Sequence, residues 1–303
     1  MPKMSTYYVG RIHKINLDDS KLIKAIKNPA RIKYRKHSWT FINVQTFMQP
    51  DKKLFLFGNL AKYLPHALLP QVDEDEHESR DIEVDRFMVA ASSFVYLPGF
   101  SGIAYQHIWN KIEHKTFRLV FSELIKAAFG NFFVSCEIEP IVEYIEFVKK
   151  IHTLKRITRL KSAVHPPNPL YGRLWKSLRE YLAKRELDEL RIKEDAGKDG
   201  NIKTELPKIL DKFTQKAPSA KIDVKGDLDI GDASVLMAAD GYGKASVEGH
   251  DGKRTIIVKT LDITKNFRFD AEPDASSLYE VAYSLFKEIS QSRYLEGGKH
   301  DVH

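Results

Sequence analysis

The sequence predicts an α+β fold with mixed or antiparallel sheets and packed helices. Three observations carry that prediction. Segments rich in β-formers alternate in the first third, as in Tyr7 to Ile15 and Ser38 to Met48. Helical spacing of apolar residues follows in Lys115 to Phe129 and Ser276 to Ser290. Glycine-rich turns at Asp240-Gly241-Tyr242-Gly243 and Gly249-His250-Asp251-Gly252 separate short β segments, as in a meander.

In order, Tyr7 to Ile15 reads as a strand, and Asp18-Asp19-Ser20 as the cap of a short helix with Leu22, Ile23 and Ile26 inward. Pro29 closes that helix. Ser38 to Met48 and Lys53 to Phe57 form a hairpin across Pro50-Asp51. Lys62 to Pro70, holding two prolines, is expected as loop, followed by a solvated acidic run, Asp73-Glu74-Asp75-Glu76-His77-Glu78. Met88 to Tyr96 reads as a buried strand and Ile103 to Trp109 as its antiparallel return. Lys115 to Phe129 is a core helix ended by Gly130, and Phe132 to Ile138 a strand. Pro140 suits the first turn of a helix with Ile141, Tyr144, Ile145, Val148 and Ile151 inward. Strand, helix and strand over 132–164 are compatible with a split βαβ unit of ferredoxin-like type. Tyr171 to Lys193 is expected as one long helix, Thr204 to Phe213 as a short one, and Val235 to Ala239, Lys244 to Glu248 and Thr255 to Thr260 as β segments.

The expected organisation is a β-rich unit with one core helix at 1–133, an α+β unit at 134–295 and a disordered tail at 296–303. The one cysteine, Cys136, excludes an internal disulfide and a cysteine-based structural zinc site, and suits a reducing cytoplasm. Between Val134 and Ile138 it reads as a buried small hydrophobe. No signal peptide stands at the N-terminus, and no window approaches the roughly 18 apolar residues of a membrane span. The net charge of +7 and pI near 9.1 imply moderate attraction to polyanions, and a basic surface kept for solubility gives the same totals.

The densest charge on regular structure lies at Leu154 to Val164. Read as a strand, it puts Lys155, Ile157, Arg159, Lys161 and His165 on one face, and Leu154, Arg156, Thr158, Leu160, Ser162 and Val164 on the other. A largely basic sheet face is a platform for RNA or single-stranded DNA. The same pattern arises in a solvated strand with ion-pair partners on its neighbours. Arg173 and Tyr171 extend the platform, and Lys33, Tyr34, Arg35 and Lys36 form a second basic patch with an aromatic for base stacking.

Several motifs were weighed for chemistry. Glu113-His114-Lys115 has the Glu-x-Lys step of many metal-dependent nucleases, although such a step arises often by chance. His107 and His114, with His152 and His165, could serve metal-free acid–base cleavage of RNA if folding gathers them. Asp81, Glu83 and Asp85 share one strand face, a candidate Mg²⁺ site, and an exposed antiparallel edge gives the same alternation. Gly241-Tyr242-Gly243 fails as a dinucleotide fingerprint, since Ser246 replaces the third glycine. No cofactor is implied.

Two pieces, Pro167-Asn168-Pro169 before a helix holding Trp175, and the Ala239 to Gly243 turn closing on Thr260, carry a family resemblance. Over residues 150 to 262 the chain resembles uncharacterised bacterial proteins found in mobile-element or phage-defence gene neighbourhoods. The resemblance implies a bacterial, cytoplasmic setting and a defence role, and transfers no catalytic residue. The expected function is nucleic-acid binding, RNA slightly favoured, within an accessory or defence system. The rival readings are a metal-dependent or metal-independent nuclease or toxin, and a protein–protein module of a defence complex. Homo-oligomerisation stays open.

Overall fold

The computed structural model describes residues 4–49, 53–75, 77–130, 133–166, 176–198, 200–215, 228–252 and 254–292. Two antiparallel sheets organise the chain, with helices packed on them, an α+β architecture. Tyr171, Arg173, Trp175, Pro167 to Pro169 and the tail at 296–303, named above, lie outside the described residues.

The first sheet is built by β1 (Ser5–Ile15), β2 (Ile32–Tyr34), β3 (His37–Met48), β4 (Leu54–Asp73), β5 (Glu78–Leu97) and β6 (Gly102–His107), in the order β1-β6-β5-β4-β3-β2. The free side of β1 takes two strands end to end. Ser5 to Tyr8 pair with β12 (Asn266–Phe269), and Gly10 to Ile15 pair with β7 (Ser135–Pro140). The first sheet therefore draws strands from both sides of Phe133.

Apolar spacing explains the helices on this sheet. α1 (Asp19–Lys27) starts where the Asp18 carboxylate accepts the Lys21 N–H at 2.7 Å, and buries Leu22, Ala25 and Ile26. α2 (His114–Ala128) buries Phe117, Val120, Phe121, Leu124 and Ile125 against Phe41 and Phe94. α7 (Ala275–Ser292) covers the other face, seating Phe286 against Phe100 and Tyr279 against Phe55. Cys136 is buried, and burial pushes its thiol up to about 12.

β4 and β5 run 20 residues each and leave the sheet as a two-stranded arm. Lys62 to Pro70 is thus strand, not loop. Pro65 and Pro70 are tolerated because the arm's edges carry no further strand to receive an N–H. Glu74, Asp75, His77 and Glu78 of the acidic run are exposed at the tip of the arm.

The second sheet has the order β11-β10-β8-β9, with β8 (Arg156–Val164), β9 (Leu190–Asp195), β10 (Gly243–His250) and β11 (Thr255–Lys259). Its inner face carries Ile157, Leu160, Val164, Val247 and Val258, packed on α3 (Tyr144–His152), α4 (Lys176–Lys184), α5 (Leu206–Gln215) and α6 (Ile230–Ala239). Four expectations are corrected here. Val235 to Ala239 is helix, because α6 is buried on all sides and an all-round apolar run carries no period. The expected meander is therefore a β10–β11 hairpin, and the Asp240 to Gly243 turn joins a helix to a strand. Leu190 to Lys193 is strand, not the end of a long helix. Finally, β7 and β8 flank α3 but enter different sheets, so no split βαβ unit forms, and Pro140 ends a strand instead of opening a helix.

Gly243 starts β10 with φ +148°, and a Cβ there would stand 2.1 Å from the Ala163 carbonyl oxygen and 2.8 Å from Val164 Cα. Gly243→Ala is expected to destabilise the chain by about 3 kcal/mol or more. Urea denaturation reads it as a lower midpoint. An unchanged midpoint would mean that β8 and β10 do not approach this closely.

Candidate functional site

The outer face of the second sheet is set by its registers. Lys259, Ser246, Lys161 and Lys193 lie side by side across the four strands. On one side of that row stand Lys244, Ala163 and Arg191. On the other stand Ile257, Glu248, Arg159 and Asp195, and beyond them Thr255, His250 and Arg156. Seven cations thus share a face with two carboxylates, Asp195 and Glu248.

The face differs in one respect from the alternation read in the sequence. The register slips between Glu248 and Gly249, leaving Thr158 as the extra residue of a bulge. The slip turns Ile157 inward and Arg156 outward. Arg156, Arg159 and Lys161 therefore face the same solvent. Lys155 lies just before the strand, its N–H donated to the His250 carbonyl at 2.7 Å.

The cations are not equivalent. Arg159 is clamped between Asp195 and Glu248, the latter at 3.1 Å. Lys193 reaches Asp195 at 2.6 Å, and Arg191 reaches Glu189 at 2.7 Å. The Lys193 and Arg159 hydrogen bonds hold the Asp195 carboxyl down to about 2. Arg156, Lys161, Lys244 and Lys259 make no ion pair among the described residues. At the Arg156 end, Lys155, Arg156, Asn201 and Lys203 line a 480 Å³ cavity together with Glu205 and Asp229.

The second basic patch is real but separate. Lys33, Arg35 and Lys36 are exposed around the β2–β3 turn, and the Arg35 guanidinium lies 5.3 Å over the Tyr34 ring. Lys62 joins them, its pKa lowered first by burial and then by Arg35 and Lys111. β2 is the edge of the first sheet far from β1, about 24 Å away at five strand spacings. The fold does not bring the two patches onto one surface.

Of the catalytic candidates, Glu113 and Lys115 are exposed at the start of α2, and Lys115 lies 3.5 Å from Asp262. His107 and His114 do come together, with ring centroids 6.1 Å apart, and His114 stacks on Tyr8 at 4.6 Å. The His107 Nδ1 accepts the His114 backbone N–H at 3.1 Å, which fixes the neutral His107 proton on Nε2. That Nε2, the His114 Nδ1 and the Tyr105 hydroxyl are buried without a hydrogen-bond partner among the described residues. Burial, ahead of Arg118, pushes His114 down to about 4. His152 is elsewhere, bonded to Asp211 at 2.7 Å.

Of the metal candidates, Glu83 and Asp85 meet His66 across the arm, and one ligand atom from each lies within 4.8 Å of the others. Asp81 stands apart, opposite Pro70. His66 already hydrogen-bonds Asp85 at 2.7 Å, and all three side chains are exposed, so a hydrogen-bonded pair in water accounts for the group.

Sequence reasoning missed the junction where the outer face meets β1 and β7. His13 of β1 stacks on His165 with ring centroids 3.6 Å apart. The buried Arg11 donates to the Asp240 and Phe100 carbonyls at 2.9 and 2.6 Å and lies 4.7 Å over the Tyr242 ring. Glu139, paired with Arg11 across β1–β7, is buried, and burial followed by Glu137 raises it to about 7. Alternation in Tyr7 to Ile15 put these residues on one face, but nothing local tied that face to residue 165.

Glu139 binds its proton more tightly folded than unfolded, so its favourable contribution is full below about pH 4.5 and is lost as pH rises through about 7. Glu139→Gln keeps the neutral form at every pH. It is expected to raise unfolding free energy at pH 8 by about 2 kcal/mol and to give no gain at pH 4.5. Urea denaturation at the two pH values checks this, and equal effects at both would refute the assigned shift.

A family model described as a domain of unknown function (DUF4747) matches residues 20–221. No curated protein matches the chain.

Proposed function

The chain belongs to the DUF4747 family, and on that premise we propose that it binds single-stranded nucleic acid, RNA slightly favoured, on the outer face of the four-stranded sheet. One observation carries the reading: among the described strand residues, seven cations share an exposed antiparallel face with two carboxylates, Asp195 and Glu248, while Glu189 pairs with Arg191 at its rim. Arg156, Lys161, Lys244 and Lys259 supply affinity by releasing condensed counterions from the phosphate backbone. Arg159 and Lys193, tied to Asp195, act mainly to hold the face flat. Exposed pairs of this kind are screened by water and salt and contribute little, so phosphates can displace them. The face carries no Phe, Tyr or Trp among its strand residues, which favours backbone contact over base readout. The bacterial accessory or defence setting is the one that the sequence resemblance implies. No described helix is long and apolar enough to cross a membrane.

Fluorescence anisotropy with a labelled oligonucleotide across about 50–200 mM salt tests the proposal. Affinity should fall with salt, and Lys161→Ala should weaken binding roughly fivefold and reduce the slope by about 0.7. Asp195→Asn, which releases Arg159 and Lys193, should tighten binding. Salt-independent affinity, or a Lys161→Ala/Lys259→Ala double variant that binds as the parent does, would remove the proposal. Loss of the labelled strand during the assay, sensitive to chelator, would move the reading to a nuclease.

A further inference from the structure

The outer face does not run out into solvent at both ends. Beyond Lys244, Ala163 and Arg191 the strands lead to Tyr242 and His165, and there β1 closes the way with His13. A 290 Å³ cleft lies at this point, lined by Arg11, His13, Lys14, Asn16, His165 and Tyr242, with Asp188 at its rim. The His165 Nδ1 donates to the Asp188 main-chain carbonyl at 3.2 Å, which leaves Nε2 as the free edge of the ring. The Lys14 ammonium is held by Asp19 at 2.7 Å and Ser101 at 3.0 Å, and the Asn16 side chain donates to the Phe133 carbonyl. Arg11 is only 3% exposed, donates to the Asp240 and Phe100 carbonyls, and faces Glu139 across β1–β7.

This is an unusual place to stack two imidazoles. The two rings lie side by side at 3.6 Å in one cleft with the Arg11 and Lys14 cations. A phosphate dianion suits such a corner, because it accepts charge-assisted hydrogen bonds from cationic side chains and further hydrogen bonds from imidazole N–H groups. The cleft volume admits a phosphate group and excludes a base stacked flat on the sheet, because β1 stands across the face.

We propose that the His13/His165 cleft receives the terminal phosphomonoester of a strand lying on the basic face. The inference rests on the binding function proposed above and adds to it a preference for phosphorylated ends. A strand following Arg156, Lys161 and Lys244 arrives at the cleft end first. Its backbone phosphates bear one charge each, while its end phosphate bears nearly two and fits a site that no internal phosphate can enter without bending the strand.

The test compares one labelled oligonucleotide with a 5′-phosphate, with a 3′-phosphate and with hydroxyls at both ends. One phosphorylated form should bind about tenfold more tightly than the hydroxyl form, the equivalent of one charge-assisted hydrogen bond. His13→Phe keeps the ring stack and removes the donors; it should erase the tenfold ratio and leave hydroxyl-ended binding unchanged. His13→Gln serves as the second variant, and thermal melting of both establishes that they fold. Equal affinity for all three strands overturns the cleft inference and leaves the binding face standing. No binding of any strand removes both. Inorganic phosphate that shifts the His13 and His165 imidazole proton signals, with no end preference among strands, assigns the cleft to a free phosphate compound and overturns the strand-end assignment.

Discussion

A buried guanidinium has to be satisfied wherever it sits, and in this fold Arg11 draws hydrogen-bond partners from both sheets. Its hydrogen bonds reach the Phe100 carbonyl, beside the first sheet, and the Asp240 carbonyl, at the end of α6 on the second. Tyr242 and Phe286 lie against the cation from either side. A charge buried without such partners costs several kcal/mol, so separation of the sheets must either rehydrate Arg11 or leave it stranded. Strand pairing pulls the same way. β1 is bonded to β6 along one edge and to β12 and β7 along the other, which ties residues near both ends of the described chain into one ladder. The seam places His13 over His165 and Glu139 near Lys244, and so decides where the basic face stops.

The same seam explains why the electrostatics of the junction are opposed to those of the open face. On the face, cations stand in water, where solvent screens both their mutual repulsion and the Asp195 clamp. At the seam, dehydration dominates: Glu139 is driven up towards neutrality and His13 down to about 4, burial being the first cause in each. An acid and a base that both prefer their uncharged forms keep the seam from carrying unpaired charge, while Arg11, which cannot lose its proton, takes the available carbonyls.

Much of this was legible in the sequence where a local pattern determined a local outcome. The Asp18 cap and the apolar Leu22, Ile23 and Ile26 specified α1, whose buried stripe is Leu22, Ala25 and Ile26, and the spacing of Phe117 to Ile125 specified α2, because an amphipathic period needs only its own residues to be read. Failures fell where the deciding contact was distant. α6 is apolar all round because sheet and helices surround it, and that removes the period that would have marked it as helix. Leu187 and Leu190 continue a helical spacing, yet β8 offers an open edge that Leu190 to Asp195 fill with alternating burial. Lys62 to Pro70 looked like loop because proline breaks an interior strand, whereas an arm of two strands has edges to spare.

The basic platform shows how a site can be half legible. Cation density at residues 155 to 161 announced a charged strand, and β8 is that strand. Which cations share a face was decided by one extra residue, Thr158, whose bulge exists only because β10 pairs there with a shifted register. Without the slip, Arg156 would point towards the apolar core that Ile157 joins, where a charge is costly unless it is paired. The bulge thus puts Ile157 in place of Arg156 on the inner face. In one step it removes a buried charge and adds a cation to the open side, and the rest of the platform, from Lys193 to Lys259, is supplied by strands whose place beside β8 no local pattern could announce.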